Sequence, residues 1–287
     1  VIGEVRRQVI RRAVEEAGYV EARTLAVQFG VDVSTIRRDL DALARAGVLQ
    51  RTHGGALPAG GPRTVDLPYE VKELENPDQK AAIASYAATL VRDGEALVLD
   101  SGSTTFALAK ALFEHQRLTV VTNDLHIAHY LAARGGVRLL VTGGQLIDSV
   151  FTLVGPEGLT SLSGLHVDWT FLGADAVDVG AGVTNVNSVE VPVKQAMLAA
   201  GARTVLLADS SKFDRSALFT VTSLDCFDAI VTDDGLPPAA RGRYGQRLVC
   251  VQPLEIPGGS AMVDQGSMTQ PSTARGSDGP LASLDER

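Results

Sequence analysis

Val31-Asp32-Val33-Ser34-Thr35-Ile36-Arg37-Arg38-Asp39-Leu40 is the stretch whose reading decides the N-terminal fold. Val33, Ile36, Leu40 and Leu43 recur at helical spacing and make one apolar stripe that ends before Gly47. Asp32 stands just ahead, and its carboxylate can accept a hydrogen bond from an otherwise unpaired first-turn amide, so the spacing predicts a helix capped by Asp32. Ser34, Arg38, Asp41 and Arg45 fall opposite the stripe, with Thr35 and Arg37 on its flanks. The exposed face is therefore polar and carries arginines.

Working outward, Ile2, Val5, Val9, Ala13 and Ala17 lie near helical spacing and predict an earlier helix that stops at Gly18. Ala22, Leu25, Ala26 and Phe29 predict a second, ending at Gly30. After Gly47, Val48-Leu49-Gln50-Arg51 reads as a short strand, and His53-Gly54-Gly55 as a tight turn leading to another: a wing. Two short helices joined by a glycine-containing turn, the second with arginines outward, fit the geometry in which a recognition helix enters the major groove. Arginine can donate two parallel hydrogen bonds to guanine, and Ser or Thr can bond base edges or phosphates, so Ser34, Thr35, Arg37 and Arg38 are the candidate base readers. Arg51 and His53, in the wing, are candidates for phosphate or minor-groove contact. The pattern alone also fits a structural helical cap whose arginines merely solvate a face. Asp39 lies nearer the stripe than the groove and reads as an intramolecular arginine partner, since a carboxylate facing phosphate is unfavourable.

The net charge of −8 argues weakly against nucleic acid, but the charge is uneven. Residues 1–56 hold nine arginines against seven acids, a balance of +2 that leaves −10 for the remainder. A small polyanion-binding module on an acidic body is the reading. With 45% hydrophobic and 21% charged residues the chain is compositionally globular, with no membrane-scale apolar run. No secretory signal is apparent at the start, so a cytoplasmic location is expected. Cys226 and Cys250 have no CxxC spacing and read as buried thiols.

Three prolines and Gly60-Gly61 give residues 57–68 linker composition. The expected organisation is a winged helix-turn-helix over 1–57, a linker over 58–68, an α/β domain over 69–256 and a disordered tail over 257–287, where large apolar residues are few. In the α/β part, β-rich runs at 96–100, 118–122, 137–142, 167–172, 204–209 and 229–232 alternate with helical patterns, which implies a mostly parallel sheet. Ligands of such sheets bind beyond the carboxyl ends of strands, so the polar residues there are candidates. Asp100, Gly102, Ser103, Thr104 and Thr105 leave a strand and open a helix, where small residues let amides approach an anion. A plain capped strand-helix turn fits the same residues. Asn123, Gly143, Asp175, Asn187, Glu190, Lys194, Asp209 and Lys212 occupy other strand ends; carboxylates and amides suit sugar hydroxyls, and Lys194 or Lys212 suits a phosphate. Glu190 and Lys194, four apart, also fit an ordinary helix ion pair. His126 and His129 are the one metal-like pair, with no third ligand evident, and read as surface-helix residues; no metal and no cofactor are expected.

These words have a resemblance. The 31–40 segment, followed by Gly47-Val48-Leu49-Gln50-Arg51-Thr52-His53-Gly54-Gly55-Ala56, resembles the DeoR family of bacterial repressors nearly word for word. From about 69 to 251 the chain is similar to that family's effector domain, through Asn76 with Lys80, Asp100-Ser101-Gly102-Ser103-Thr104-Thr105, Val121-Thr122-Asn123, Gly143-Gly144, Gly155, Phe171-Leu172-Gly173-Ala174-Asp175, Gly182-Val183-Thr184-Asn185, Glu190 and the run 209–213. Asp32 stands where the family usually has Ser, Lys72 where it often has Arg, and the long tail is atypical. The resemblance implies a winged helix-turn-helix joined to a domain like ribose-5-phosphate isomerase and glucosamine-6-phosphate deaminase. It further implies a repressor of a carbohydrate-catabolism operon, with double-stranded operator DNA and a phosphorylated sugar as partners, acting as a homo-oligomer away from membranes. The alternative is a sugar-phosphate isomerase-like enzyme with an accessory helical domain, using Asp175, Asp178 or Glu190 as base. Against it, the isomerases' glycine-rich lysine loop and a deaminase-like histidine are not evident, so no catalytic residues are expected.

Overall fold

Helix α1 (Gly3–Ala17) buries Arg6, Ile10 and Val14 against helix α3 (Val33–Arg45), from which Ile36, Asp39, Leu40 and Leu43 face inward. The computed structural model describes residues 3–59, 65–147 and 149–253. Ile2, part of the linker and the tail at 257–287 therefore lie outside the described residues. The expected inward face of α1 is corrected: Val5 and Val9 are 50% and 41% exposed, and Ala17 is exposed. Arg6 takes a place on the buried ridge because a buried carboxylate, Asp39, receives it there, so polarity and depth part company along this helix.

Between these helices come strand β1 (Val20–Glu21) and helix α2 (Ala22–Phe29), which ends at Gly30 in the left-handed conformation. Strands β2 (Leu49–Arg51) and β3 (Gly55–Pro58) form the wing with β1, in the order β1-β3-β2. Gly55 is required there, because a Cβ would collide with the carbonyl of Val20 on the neighbouring strand. Ile10, Leu25, Ile36, Leu40, Leu49 and Ala56 make the core of this unit.

The larger part begins with helices α4 (Tyr69–Leu74) and α5 (Pro77–Leu90), then β4 (Ala96–Leu99), α6 (Ser103–Ala111), β5 (Thr119–Thr122), α7 (Leu125–Arg134) and β6 (Arg138–Val141). A hairpin of β7 (Gln145–Ile147) and β8 (Thr152–Val154), helix α8 (Pro156–Leu162) and strand β9 (Val167–Gly173) follow. The chain continues through β10 (Ala176–Asp178), β11 (Gly182–Asn185), α9 (Val191–Ala200), β12 (Gly201–Leu207), β13 (Phe219–Thr222), β14 (Ala229–Asp233), α10 (Pro238–Arg241) and β15 (Leu248–Val251). Seven strands form one parallel sheet in the order β15-β14-β12-β9-β4-β5-β6. β10, β11 and β13 make a separate antiparallel sheet.

Alternation along β4 builds both faces of the parallel sheet: Leu97 and Leu99 join one core with Ile83, Leu108 and Phe171, while Val98 joins the other with Leu172, Met197 and Leu206. From β4 the chain steps outward to β5 and β6, then crosses back to β9 on the other side of β4. The strand order reverses at β4 and β9, and a crevice opens at their carboxyl ends. Residues 100–105 and 173–175 come off those two ends. Neither cysteine is a buried thiol: Cys226 ends an exposed 3-10 turn (Leu224–Cys226), and Cys250 is half-buried on the edge strand β15. β15 is the edge of the sheet, and all four of its residues are only partly buried.

Candidate functional site

The first turns of α3 present Ser34, Arg37 and Arg38 as exposed side chains, with Thr35 half-buried beside them. Asp32 caps the helix through its Oδ1, which accepts from the Ser34 amide at 2.7 Å. Hydrogen bonds from Ser34 hold the Asp32 carboxyl below the usual carboxylate range. Asp39 is withdrawn from this face by Arg6 Nε at 2.5 Å and Arg7 Nη1 at 3.4 Å. In the wing, Arg51 Nε donates to Asp41 Oδ1 at 2.8 Å and its Nη1 to the Gly55 carbonyl at 2.5 Å. Arg51 thus ties the wing to the recognition helix, and His53 is exposed at the turn.

A cavity opens where β4 and β9 end. Gly102, at φ +142°, turns the chain from β4 into α6, so that Gly102, Ser103, Thr104 and Thr105 line the cavity at the helix N-terminus. Lys72 from α4, Lys194 from α9 and Lys212 from the loop after β12 line it with them, as do Asp175, Asn185 and Glu190. One helix N-terminus and three lysines, each within ion-pair reach of a carboxylate, form the side suited to an anion; two carboxyls and an amide supply groups for hydroxyls. The Asn185 Oδ1 is buried and accepts no hydrogen bond in the structure, leaving an acceptor for a ligand hydroxyl or water.

The cations are set by tertiary pairs. Lys194 Nζ, buried, donates to Asp100 Oδ2, which also accepts from the Gly173 amide at 2.9 Å. This corrects the reading of Glu190 and Lys194 as a helix ion pair. Glu190 sits in a 3-10 turn (Ser188–Glu190) before α9, and Lys194 turns to the end of β4 instead. Lys72 Nζ pairs with Asp66 Oδ1 and lies 3.3 Å from Asp175 Oδ1. Burial alone would lower the pKa of Lys72, but Asp175, Asp66 and Glu190 raise it above its ordinary value. Lys212 Nζ is 3.9 Å from Asp209 and 4.0 Å from Glu75. Lys80 donates to the carbonyls of Lys72 and Glu75 and so finishes α4; burial brings its pKa down to about 8.

Comparison with known proteins decides the family. The sequence pattern of the DeoR-like helix-turn-helix domain matches residues 6–59, and that of the DeoR C-terminal sensor domain matches residues 75–234. The chain belongs to the DeoR family. It is 32% identical to the glycerol-3-phosphate regulon repressor of Escherichia coli K12, over 79% of this chain and 90% of that one. It is 34% identical to the transcriptional repressor AccR of Agrobacterium fabrum, over 74% of this chain and 82% of the relative. Among solved structures, ribose 5-phosphate isomerase A of Methanocaldococcus jannaschii matches with a TM-score of 0.37 and 20% identity, across 48% of this chain and 55% of that one.

In this DeoR-family protein the cavity gathers eight of the residues expected to bind effector: Gly102, Ser103, Thr104, Thr105, Asp175, Glu190, Lys194 and Lys212. The other five stand outside its lining. Asp100 lies beneath as the partner of Lys194, and Asp209 accepts from Asn76 Nδ2 at 2.9 Å. Asn123 is buried and donates to the Leu153 carbonyl, Gly143 turns the chain after β6, and Asn187 donates to Asp66 and Glu190. Tyr69, Lys72 and Thr152 line the cavity without having been expected there. Asp178, a candidate base, accepts from the Gly180 and Ala181 amides in the β10–β11 turn, away from the cavity. His126 is not a surface residue: it stacks on Tyr69 at 3.9 Å between ring centroids and packs on Phe151, while His129 is exposed. Among the described residues no cluster of three metal ligands occurs.

Glu190 carries a titration of its own. Burial, reinforced by Asp175 and Asp66 and partly offset by Lys194 and Lys72, pushes its pKa up to about 7 from 4.5. A folded-state pKa above the unfolded one gives stability that is complete below about 4.5 and is lost as pH rises through about 7. Glu190→Gln removes that loss. Thermal unfolding of parent and variant from pH 5 to 8 should show the variant gaining on the parent with rising pH, by up to about 3 kcal/mol. Parallel curves would place the titration elsewhere.

Proposed function

We propose that this DeoR-family repressor is released from its operator by a phosphorylated sugar, which binds the cavity at the ends of β4 and β9. The single observation that carries this reading is the pairing of two chemistries in one cavity. The α6 N-terminus with Lys72, Lys194 and Lys212 suits a phosphate, and Asp175, Asn185 and Glu190 suit hydroxyls. Ser34, Thr35, Arg37 and Arg38 read bases, with His53 and Arg51 at the wing positioning the backbone. One recognition helix reads one half-site, so two copies of the chain act on paired half-sites as a homo-oligomer. Among the described residues no helix is long and apolar enough to cross a membrane, and we place the protein in the cytoplasm with its DNA.

A thermal-shift panel of phosphorylated sugars beside their unphosphorylated parents tests the effector class. At about 100 times its dissociation constant an effector adds roughly 2.7 kcal/mol of stability, and the matching free sugar adds none. Equal shifts from both would contradict a phosphate site. The near-neutral Glu190 favours one second reading, proton abstraction from a bound sugar phosphate. Ketose accumulating from an aldose phosphate in the same samples would support it.

A further inference from the structure

Lys72 lies on the anion-attracting wall, yet the chain already supplies it with an anion. The carboxylate of Asp66 pairs with Lys72 Nζ through Oδ1 and accepts from Asn187 Nδ2 at 2.8 Å through Oδ2. Asp66 belongs to neither the wing nor the helices of the sensor domain; it stands in the segment that joins β3 to α4. The sensor end of that connection, residues 65–68, is therefore anchored at the effector cavity by an acidic side chain. We infer that Asp66 is a built-in competitor of the anionic effector: ligand phosphate displaces it from Lys72 and so frees residues 65–68 ahead of α4. The inference rests on the proposed sugar-phosphate reading of the same cavity.

Several observations converge on Asp66 as the group that yields. Three buried or nearly buried carboxyls, Asp66, Asp175 and Glu190, surround Lys72, so an arriving phosphate overloads the cluster with negative charge unless one leaves. Asp175 is fixed by accepting a backbone hydrogen bond from the Val186 amide at 3.0 Å, and Glu190 is buried in the 3-10 turn that leads into α9. Asp66 instead rides on the segment preceding a six-residue helix. The cavity also holds only about 50 Å³, well short of the roughly 300 Å³ or more typical of small-ligand pockets, so a ligand has to shift part of the lining. Helix α4 also runs beside the wing. A Cβ on Gly54, in the wing turn, would lie 3.7 Å from Val71 Cγ2, one residue before Lys72. Gln50 of β2 accepts from Arg215 Nη1 of the sensor at 2.5 Å.

Isothermal titration of the full chain with inorganic phosphate tests the competition. Asp66→Asn should bind phosphate about tenfold more tightly than the parent, and Asp66→Ser should change in the same direction. Amides of residues 65–74 should exchange faster when phosphate is added to the parent, and equally fast in Asp66→Asn without it. A merely structural Asp66 would raise exchange without tightening phosphate binding. Phosphate affinity unchanged or weakened in both variants overturns the inference. Phosphate affinity unchanged in Lys72→Met and Lys212→Ala instead overturns the sugar-phosphate reading on which it rests, and so does an absence of phosphate binding in every variant.

Discussion

Asp39→Ala should unfold the N-terminal unit and abolish DNA binding while leaving the sensor folded. Arg6 and Asp39 are 8% and 5% exposed, and the substitution leaves the guanidinium buried with its close carboxylate gone. Breaking a buried pair from one side costs about 3–5 kcal/mol, since the remaining charge loses a close counter-charge while it stays out of water. A unit of this size has a total stability of roughly 3–8 kcal/mol, so the loss removes most of it. Arg7 offers no rescue, because its own contact in this cluster is to the same Asp39. Asp39→Asn keeps acceptor geometry and should lose less. Urea unfolding followed by hydrogen exchange of both parts reads the outcome. Retained amide protection in α1 and α3 of the alanine variant would show that the pair contributes little.

The recognition helix and wing were legible because each rests on local signals: a capping acid, a stripe at helical spacing, and glycines where the chain must turn. Six of the seven parallel strands were legible for the same reason, as short apolar runs between helical patterns. β15 was not, because Leu248-Val249-Cys250-Val251 is a short run on the sheet's edge with little of its own to distinguish it from a loop. On α1 the apolar count pointed to Val5 and Val9, but the helix rotated to bury Arg6, whose partner lies in another helix. No rule of spacing within one helix can weigh that.

The cavity shows the same division. Strand-end logic reached Ser103, Thr104, Asp175 and Lys212, because ligand crevices in parallel sheets follow from topology. It also reached Asn123 and Asp209, which the fold spends on its own hydrogen bonds, since a polar residue after a strand serves structure or ligand equally well. The Glu190–Lys194 spacing invited an ion pair, and a buried aspartate at the end of β4 took the lysine. Asp66 carried no signal: its partners Lys72 and Asn187 are brought to it only by the fold, the second from 121 residues away.

The second large effect separates reading from sensing. Arg38 is exposed on the outer face of α3, and Arg38→Ala should weaken operator binding by about 1–3 kcal/mol, relaxing preference at the base it contacts. Lys212 lies far along the chain, in the cavity, and Lys212→Ala should leave operator affinity intact while removing release by effector. A charge lost from the phosphate wall weakens the ligand and not the DNA. By reciprocity, whatever factor the effector takes from DNA affinity, DNA takes from effector affinity; each variant instead changes one intrinsic affinity, Arg38→Ala that for DNA and Lys212→Ala that for the effector.

The most direct test is an anisotropy titration of parent, Arg38→Ala and Lys212→Ala on a labelled operator, each with and without the sugar phosphate that gives the largest thermal shift. The expected result is tight parental binding released by the ligand, weak binding in Arg38→Ala, and tight binding that no longer releases in Lys212→Ala. Parental binding indifferent to the ligand, or release that survives in Lys212→Ala, would contradict a repressor governed by this cavity.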